Sequence, residues 1–186
     1  MREQIHQALK TIREGGVILY PTDTIWGLGC DPKNSEAITK LDNIKKRLTG
    51  KNYIVLIDEE HRLYNYVNEI PEVCFDLTQF NEDPLTIVYP GGKNVAPEVL
   101  AEDGSLAIRI CDMKETKYLL QQLKHGLLST SANISGTPSP KNYEEVPQSI
   151  KDEVDFIFLP ELKIPKRKPS SIIKVDLDAT IQIIRK

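Results

Sequence analysis

Histidine and cysteine are scarce in this chain, with three of each in 186 residues. His6, His61 and His125 form no HExxH pattern and stand near no Asp, Glu or Cys cluster, so no protein-built transition-metal site is expected. Cys30, Cys74 and Cys111 are odd in number, widely spaced and without a CxxC pair. That excludes a disulfide framework and a redox dithiol, and predicts reduced, buried thiols. Long apolar runs are missing too. Residues 17–20 (VILY) and 156–159 (FIFL) fall far short of the ~20 residues that cross a bilayer. The N-terminus, Met1-Arg2-Glu3-Gln4-Ile5-His6, has no hydrophobic signal region behind it, so a soluble, cytoplasmic protein is expected. Finally, charge of one sign is lacking: 24 Lys and Arg stand against 27 Asp and Glu, a net charge of -3. No global basic field exists to hold nucleic acid non-specifically, although a local basic pocket is compatible with that balance.

What is present is ordinary globular material, 40% hydrophobic and 27% charged, which is too apolar for a disordered chain. Ile5, Ala8, Leu9 and Ile12 recur at helical spacing, and Gly15-Gly16 end that helix. Residues 17–20 read as a buried strand that stops at Pro21. Asn34 and Ser35 offer caps to a helix whose Ala37, Ile38, Leu41 and Ile44 share one face, and Lys45-Lys46-Arg47 close it. Further strands are predicted at 53–57, 85–89, 106–111, 127–130, 156–159, 171–175 and 181–184, with helical pieces at 61–67 and 71–80. Asp112 with Glu115 makes a capping-box-like start for a helix carrying Leu119, Leu120 and Leu123, which Gly126 ends. Pro147 suits the first turn of a helix through Ile150 and Val154. The alternation implies one α/β domain over 1–186, with a basic, proline-rich stretch at 160–169 of the kind that covers sites.

Familiar nucleotide motifs fail on inspection. Thr49-Gly50-Lys51-Asn52 lacks the upstream glycine and the trailing Ser or Thr of a P-loop, and Gly27-Leu28-Gly29 meets Pro32 where a dinucleotide fingerprint needs its third glycine. No GxSxG elbow is present, and Asn133-Ile134-Ser135 is a glycosylation sequon only in a secreted chain.

Four polar clusters instead sit at element ends. Residues 20–29 (YPTDTIWGLG) leave a buried strand through a proline with two threonines and the single tryptophan, a pattern shared by ST-type turns and ligand loops. Lys45, Lys46, Arg47 and Lys51 place four cations within seven residues, more than a helix C-terminus calls for; a polyphosphate and a solvated charge run both account for them. Residues 129–136 (STSANISG) follow an apolar strand with small hydroxyl and amide groups, suited to a capped turn or to backbone approach by a ligand. Ser105 and Arg109, four apart on one strand, share a face, and an inward arginine requires an anion.

Pro21-Thr22-Asp23-Thr24 with Gly27-Leu28-Gly29, Ile44-Lys45-Lys46-Arg47, Pro84-Leu85-Thr86, Arg109, Ser131-Ala132-Asn133 with Ser135-Gly136, and Pro169-Ser170-Ser171 occur in the order typical of YrdC-like proteins. Over nearly its whole length, about Arg2 to Arg185, the chain resembles the threonylcarbamoyl-AMP synthase family in its short, single-domain form. The resemblance implies a twisted mixed or parallel sheet flanked by helices, with a concave basic cavity. It also implies a nucleotidyltransferase acting on L-threonine, bicarbonate or CO2, and Mg-ATP, with tRNA or tRNA-modification proteins downstream. By the same resemblance Lys45, Arg47 and Lys51 face the ATP phosphates, Lys45 and Arg47 as the catalytic cations. Ser105, Ser131, Asn133, Ser139 and Arg185 complete the nucleotide site, and Thr24, Arg109 and Ser129 hold threonine. Magnesium rides on the phosphates. The chain departs from the family pattern at Arg47-Leu48, at Lys51-Asn52-Tyr53 and at Arg109-Ile110-Cys111, where prolines are usual, and at Tyr53 itself, where leucine is usual. A non-catalytic RNA- or nucleotide-binding paralogue is the alternative reading.

Overall fold

In the computed structural model, which describes residues 1–47, 53–160 and 168–186, apolar spacing translates into elements much as expected. Helix α1 (Arg2–Arg13) buries Ile5, Ala8, Leu9 and Ile12, the predicted stripe. Strand β1 (Ile18–Tyr20) is buried throughout. The chain then returns as β2 (Gly27–Cys30), which pairs antiparallel with β1 and was not expected as a strand. Its glycines exist for packing: a Cβ at Gly29 would stand 2.7 Å from Tyr20 Cε1 and 2.9 Å from the Leu128 carbonyl oxygen. Helix α2 (Ser35–Ile44) is capped by Asn34, whose Oδ1 accepts from the Glu36 and Ala37 amides.

Next come β3 (Ile54–Ile57), a 3-10 turn at Glu60–Asn65, α3 (Val73–Phe80), β4 (Leu85–Tyr89), a second 3-10 turn at Pro97–Val99 and β5 (Leu106–Ile110). Helix α4 (Lys114–Leu123) follows, then β6 (Leu127–Ser131), α5 (Gln148–Glu153), β7 (Phe156–Ile157), β8 (Ser171–Val175) and β9 (Ile181–Arg185). The expected capping box does not form. Met113 occupies the cap of α4 without a side-chain bond, while the Asp112 carboxylate pairs with Lys117 at 3.5 Å. Nor does Gly126 end that helix: Lys124 takes the left-handed turn (φ 66°). Gly126 is glycine because a Cβ there would lie 2.6 Å from Val55 Cγ1.

The described strands form one mixed sheet in the order β7-β1-β2-β6-β3-β5-β4-β8-β9. Pairing is parallel at β1–β7, β3–β5 and β4–β8 and antiparallel elsewhere. One face carries the larger core, where Leu28, Val55, Ile57 and Ile108 meet Ile38 and Leu41 of α2, Cys74 of α3 and Ile150 of α5. On the other face α1 and α4 cover Ile18, Tyr20, Leu56 and Leu127. Alternation then puts Ile54, Ala107, Arg109 and Ser129 on this second face, with Ile54 at the margin of the cluster those two helices cover. Its uncovered stretch is where the polar clusters meet. All three cysteines are buried and unpaired, as expected. Among the described residues no helix is long and apolar enough to cross a membrane.

Candidate active site on the open sheet face

Local turns aim the functional side chains. After β1, Thr22 folds the loop on itself: its hydroxyl donates to the Ile25 carbonyl (2.8 Å), accepts the Thr24 amide (3.0 Å) and shares a bond with Thr24 Oγ1 (2.8 Å). Arg109, from β5, reaches this loop and donates Nη2 to Asp23 Oδ1 at 3.1 Å and to Thr22 Oγ1 at 3.3 Å. The anion required by the inward arginine is thus Asp23 of the chain itself. Arg109 Nε is buried and has no hydrogen-bond partner among the described residues.

Thr24, Arg109, Ser129, Ser131, Ser139 and Arg185 line one cavity of about 80 Å³, so six of the predicted site residues meet there. Tyr20 donates its phenol to Ser129 Oγ at 2.7 Å, and burial raises the Tyr20 pKa, so it stays a donor. Arg185 arrives from β9. Its Nε and Nη2 donate to the Ser170 carbonyl at 3.1 and 2.8 Å, and the partial desolvation of the guanidinium together with the Arg109 charge lowers its pKa. An adjoining groove of about 760 Å³ shares Ile54 and Arg185 with the cavity and is lined by Ser105, so Ser105 and Arg109 do share a face.

The cations at the end of α2 diverge. The Lys46 amide donates to the Asn43 carbonyl and the Arg47 amide to the Asp42 carbonyl, a Schellman closure with Lys46 at φ 50°. Lys46 is exposed, whereas Lys45 turns inward and is buried. Lys45 Nζ donates to the carbonyls of Ser131 and Asn133, the latter at 2.7 Å, behind the cavity wall. Burial, then the Arg47 charge, pull its pKa down to about 7. Asn133 is occupied in the same turn: Oδ1 accepts from Ser131 Oγ, and Nδ2 donates to the carbonyls of Ile134 and Thr137. Arg47 reaches the cavity through Thr130, donating Nη2 to Thr130 Oγ1 at 3.2 Å. Lys51, and 161–167 of the proline-rich stretch, lie outside the described residues.

The sequence assigns no site role to Thr22, Asp23, Trp26, Thr130 or Ser170, which the structure brings to the site. Thr22, Trp26, Thr130 and Ser170 line the cavity, and Asp23 holds Arg109 behind it. The signal for Thr22, Asp23, Trp26 and Thr130 was their position within the strand-end clusters, and for Ser170 its place in the Pro169-Ser170-Ser171 motif. Among the described residues no three His, Cys, Asp or Glu side chains gather as a metal site.

A mixed sheet whose open face collects arginines and small hydroxyls defines an α/β protein furnished for anionic small molecules. Residues 10–186 match the Sua5/YciO/YrdC family, described as telomere recombination, and the chain belongs to it. It is 36% identical to a threonylcarbamoyl-AMP synthase of Pseudomonas aeruginosa, covering 96% of this chain and 94% of the relative. The structure of E. coli YciO superimposes with a TM-score of 0.83 at 26% identity, covering 100% of this chain and 90% of that one. P. abyssi Sua5 complexed with L-threonine gives a TM-score of 0.79 at 28% identity, covering 92% of this chain but 50% of the longer Sua5 chain.

Proposed function

We propose that the protein is an L-threonylcarbamoyladenylate synthase, a nucleotidyltransferase that makes threonylcarbamoyl-AMP and pyrophosphate for the threonylcarbamoyladenosine modification of tRNA. The observation that carries this reading is the cavity itself, where the guanidinium forks of Arg109 and Arg185 stand among hydroxyls. A carboxylate needs such a fork, and a triphosphate needs a second cation beside it. In this reading Thr24, Arg109 and Ser129 bind threonine. Ser105, Ser131, Ser139 and Arg185 bind the nucleotide, with Arg47 and Lys51 on its phosphates. Lys45 and Asn133 shape the turn carrying Ser131 and supply charge and dipole from behind it.

The threonine amine first combines with bicarbonate, losing water, to give a carbamate. A carbamate oxygen then attacks the α-phosphorus of ATP, forming a P–O bond as the bond to the β-phosphate oxygen breaks and pyrophosphate leaves. The chemistry asks the protein for position and positive charge, which suits a site without a nucleophile–base pair. Magnesium enters bound to the triphosphate, since among the described residues no carboxylate lines the cavity to hold a hard cation.

The test is pyrophosphate release from Mg-ATP that depends on both threonine and bicarbonate, with the AMP adduct identified by mass. ATP binding without that release would instead favour a non-catalytic nucleotide- or RNA-binding role.

A further inference from the structure

Arg47 is held on three sides. Its Nη1 lies 3.5 Å from Asp42 Oδ1, its Nη2 donates to Thr130 on the cavity wall, and its guanidinium sits over the Tyr53 ring at 5.1 Å. Tyr53 in turn places its phenol 2.6 Å from both oxygens of Asp42. The Arg47 side chain is 8% exposed and Tyr53 is 4% exposed, so the arrangement is packed rather than draped on the surface. Backbone geometry reinforces it, because the Arg47 amide closes on the carbonyl of the same Asp42.

We propose that Tyr53 and Asp42 are a positioning pair which presets Arg47 against Thr130 before the nucleotide arrives. The inference rests on the reading of Arg47 as a phosphate contact. A free arginine loses much rotamer freedom on gripping a phosphate, and a guanidinium already stacked and ion-paired has surrendered it. The tyrosine ring supplies the stack, its hydroxyl fixes the carboxylate, and the carboxylate fixes the guanidinium. Tyr53 stands where this chain departs from the usual leucine, so the device belongs to this sequence rather than to the shared motif.

The experiment compares Tyr53→Phe and Tyr53→Leu, each alone and combined with Arg47→Ala, by Mg-ATP titration calorimetry and by separate KM values for ATP and threonine. Tyr53→Phe keeps the stack and is expected to weaken ATP roughly threefold; Tyr53→Leu, which removes stack and hydroxyl, roughly tenfold. Threonine KM stays put in both, and in the Arg47→Ala background neither change has further effect. If Arg47→Ala weakens ATP while both Tyr53 variants bind it normally, the positioning role is wrong and the phosphate reading stands. If Arg47→Ala binds ATP normally, the phosphate reading of Arg47 fails and the pair with it. A Tyr53 effect that persists without Arg47 means that the ring acts on the groove directly, which also overturns the proposal. Should Tyr53→Leu fail to fold, Tyr53→Phe alone decides.

Discussion

A lysine ammonium shut among backbone carbonyls titrates unlike one in water. Lys45 carries a pKa near 7 where 10.5 is ordinary, with burial the larger cause and Arg47 the next. Between those two values the unfolded chain binds a proton that the native state lacks, so the Lys45 contribution to stability rises with pH across that window. Lys45→Met removes the titration. The stability gap between wild type and variant, read from urea titrations, is expected to widen with increasing pH and then level off near the ordinary value. A second expectation concerns Arg109. A planar guanidinium directs several N–H groups at fixed angles, so it can hold Asp23 and still meet a substrate carboxylate, and an ammonium lacks that fork. Arg109→Lys is expected to raise threonine KM by about tenfold or more and to leave ATP KM within about twofold, measured from initial rates of pyrophosphate release.

Elements, rather than single side chains, explain why the cluster Lys45-Lys46-Arg47 splits three ways. The Schellman closure of α2 puts Lys46 at φ 50°, a conformation that costs a residue with a Cβ but not glycine. Lys46→Gly is expected to add about 1 kcal/mol, a rise of about 2–4 °C in Tm for a chain of this size, with turnover unchanged. A lower melting point in differential scanning calorimetry would contradict that account. The same element scale shows what the sequence could and could not reveal. Helices α1 and α2 were legible because four apolar residues in each repeat at helical spacing, and Asn34 announces its cap. Strand β2 was hidden because Gly-Leu-Gly-Cys is short and half glycine, so it has little strand propensity; its conformation is imposed by the β1 and β6 neighbours and by the Tyr20 ring. Asp112 looked like a cap but found Lys117, a local competition that spacing alone does not resolve. In the site, hydroxyl-rich strand ends were readable from composition. The Asp23–Arg109 pair and the burial of Lys45 were not, because each joins residues more than eighty positions apart.

At the scale of the whole molecule, the open face is assembled from strands of very different security. Strands β1, β2 and β6 lie within the sheet, whereas β9 is its edge and all five of its residues are exposed. Arg185 is therefore delivered to the cavity by the least protected strand. Amide exchange is expected to be faster in β9 than in β3 or β6, since few apolar contacts resist its opening. Mg-ATP is expected to slow exchange in β9 more than in β7, at the opposite edge, if Arg185 contacts the nucleotide. Equal protection at both edges, read by exchange mass spectrometry, would remove Arg185 from the nucleotide site.

Beneath the Asp23–Arg109 pair lies Cys111, whose thiol sits 3.7 Å from Asp23 Oδ1. Burial, followed by the Asp23 charge, pushes its pKa up to about 12, so in the closed molecule it is neither accessible nor ionised. An alkylating reagent can then mark Cys111 only during excursions in which this corner comes apart, and the accumulated mark keeps time for an event that absorbance and turnover do not see. Threonine seated across Arg109 would stop that clock, while Cys74, on the buried side of α3, would go on counting.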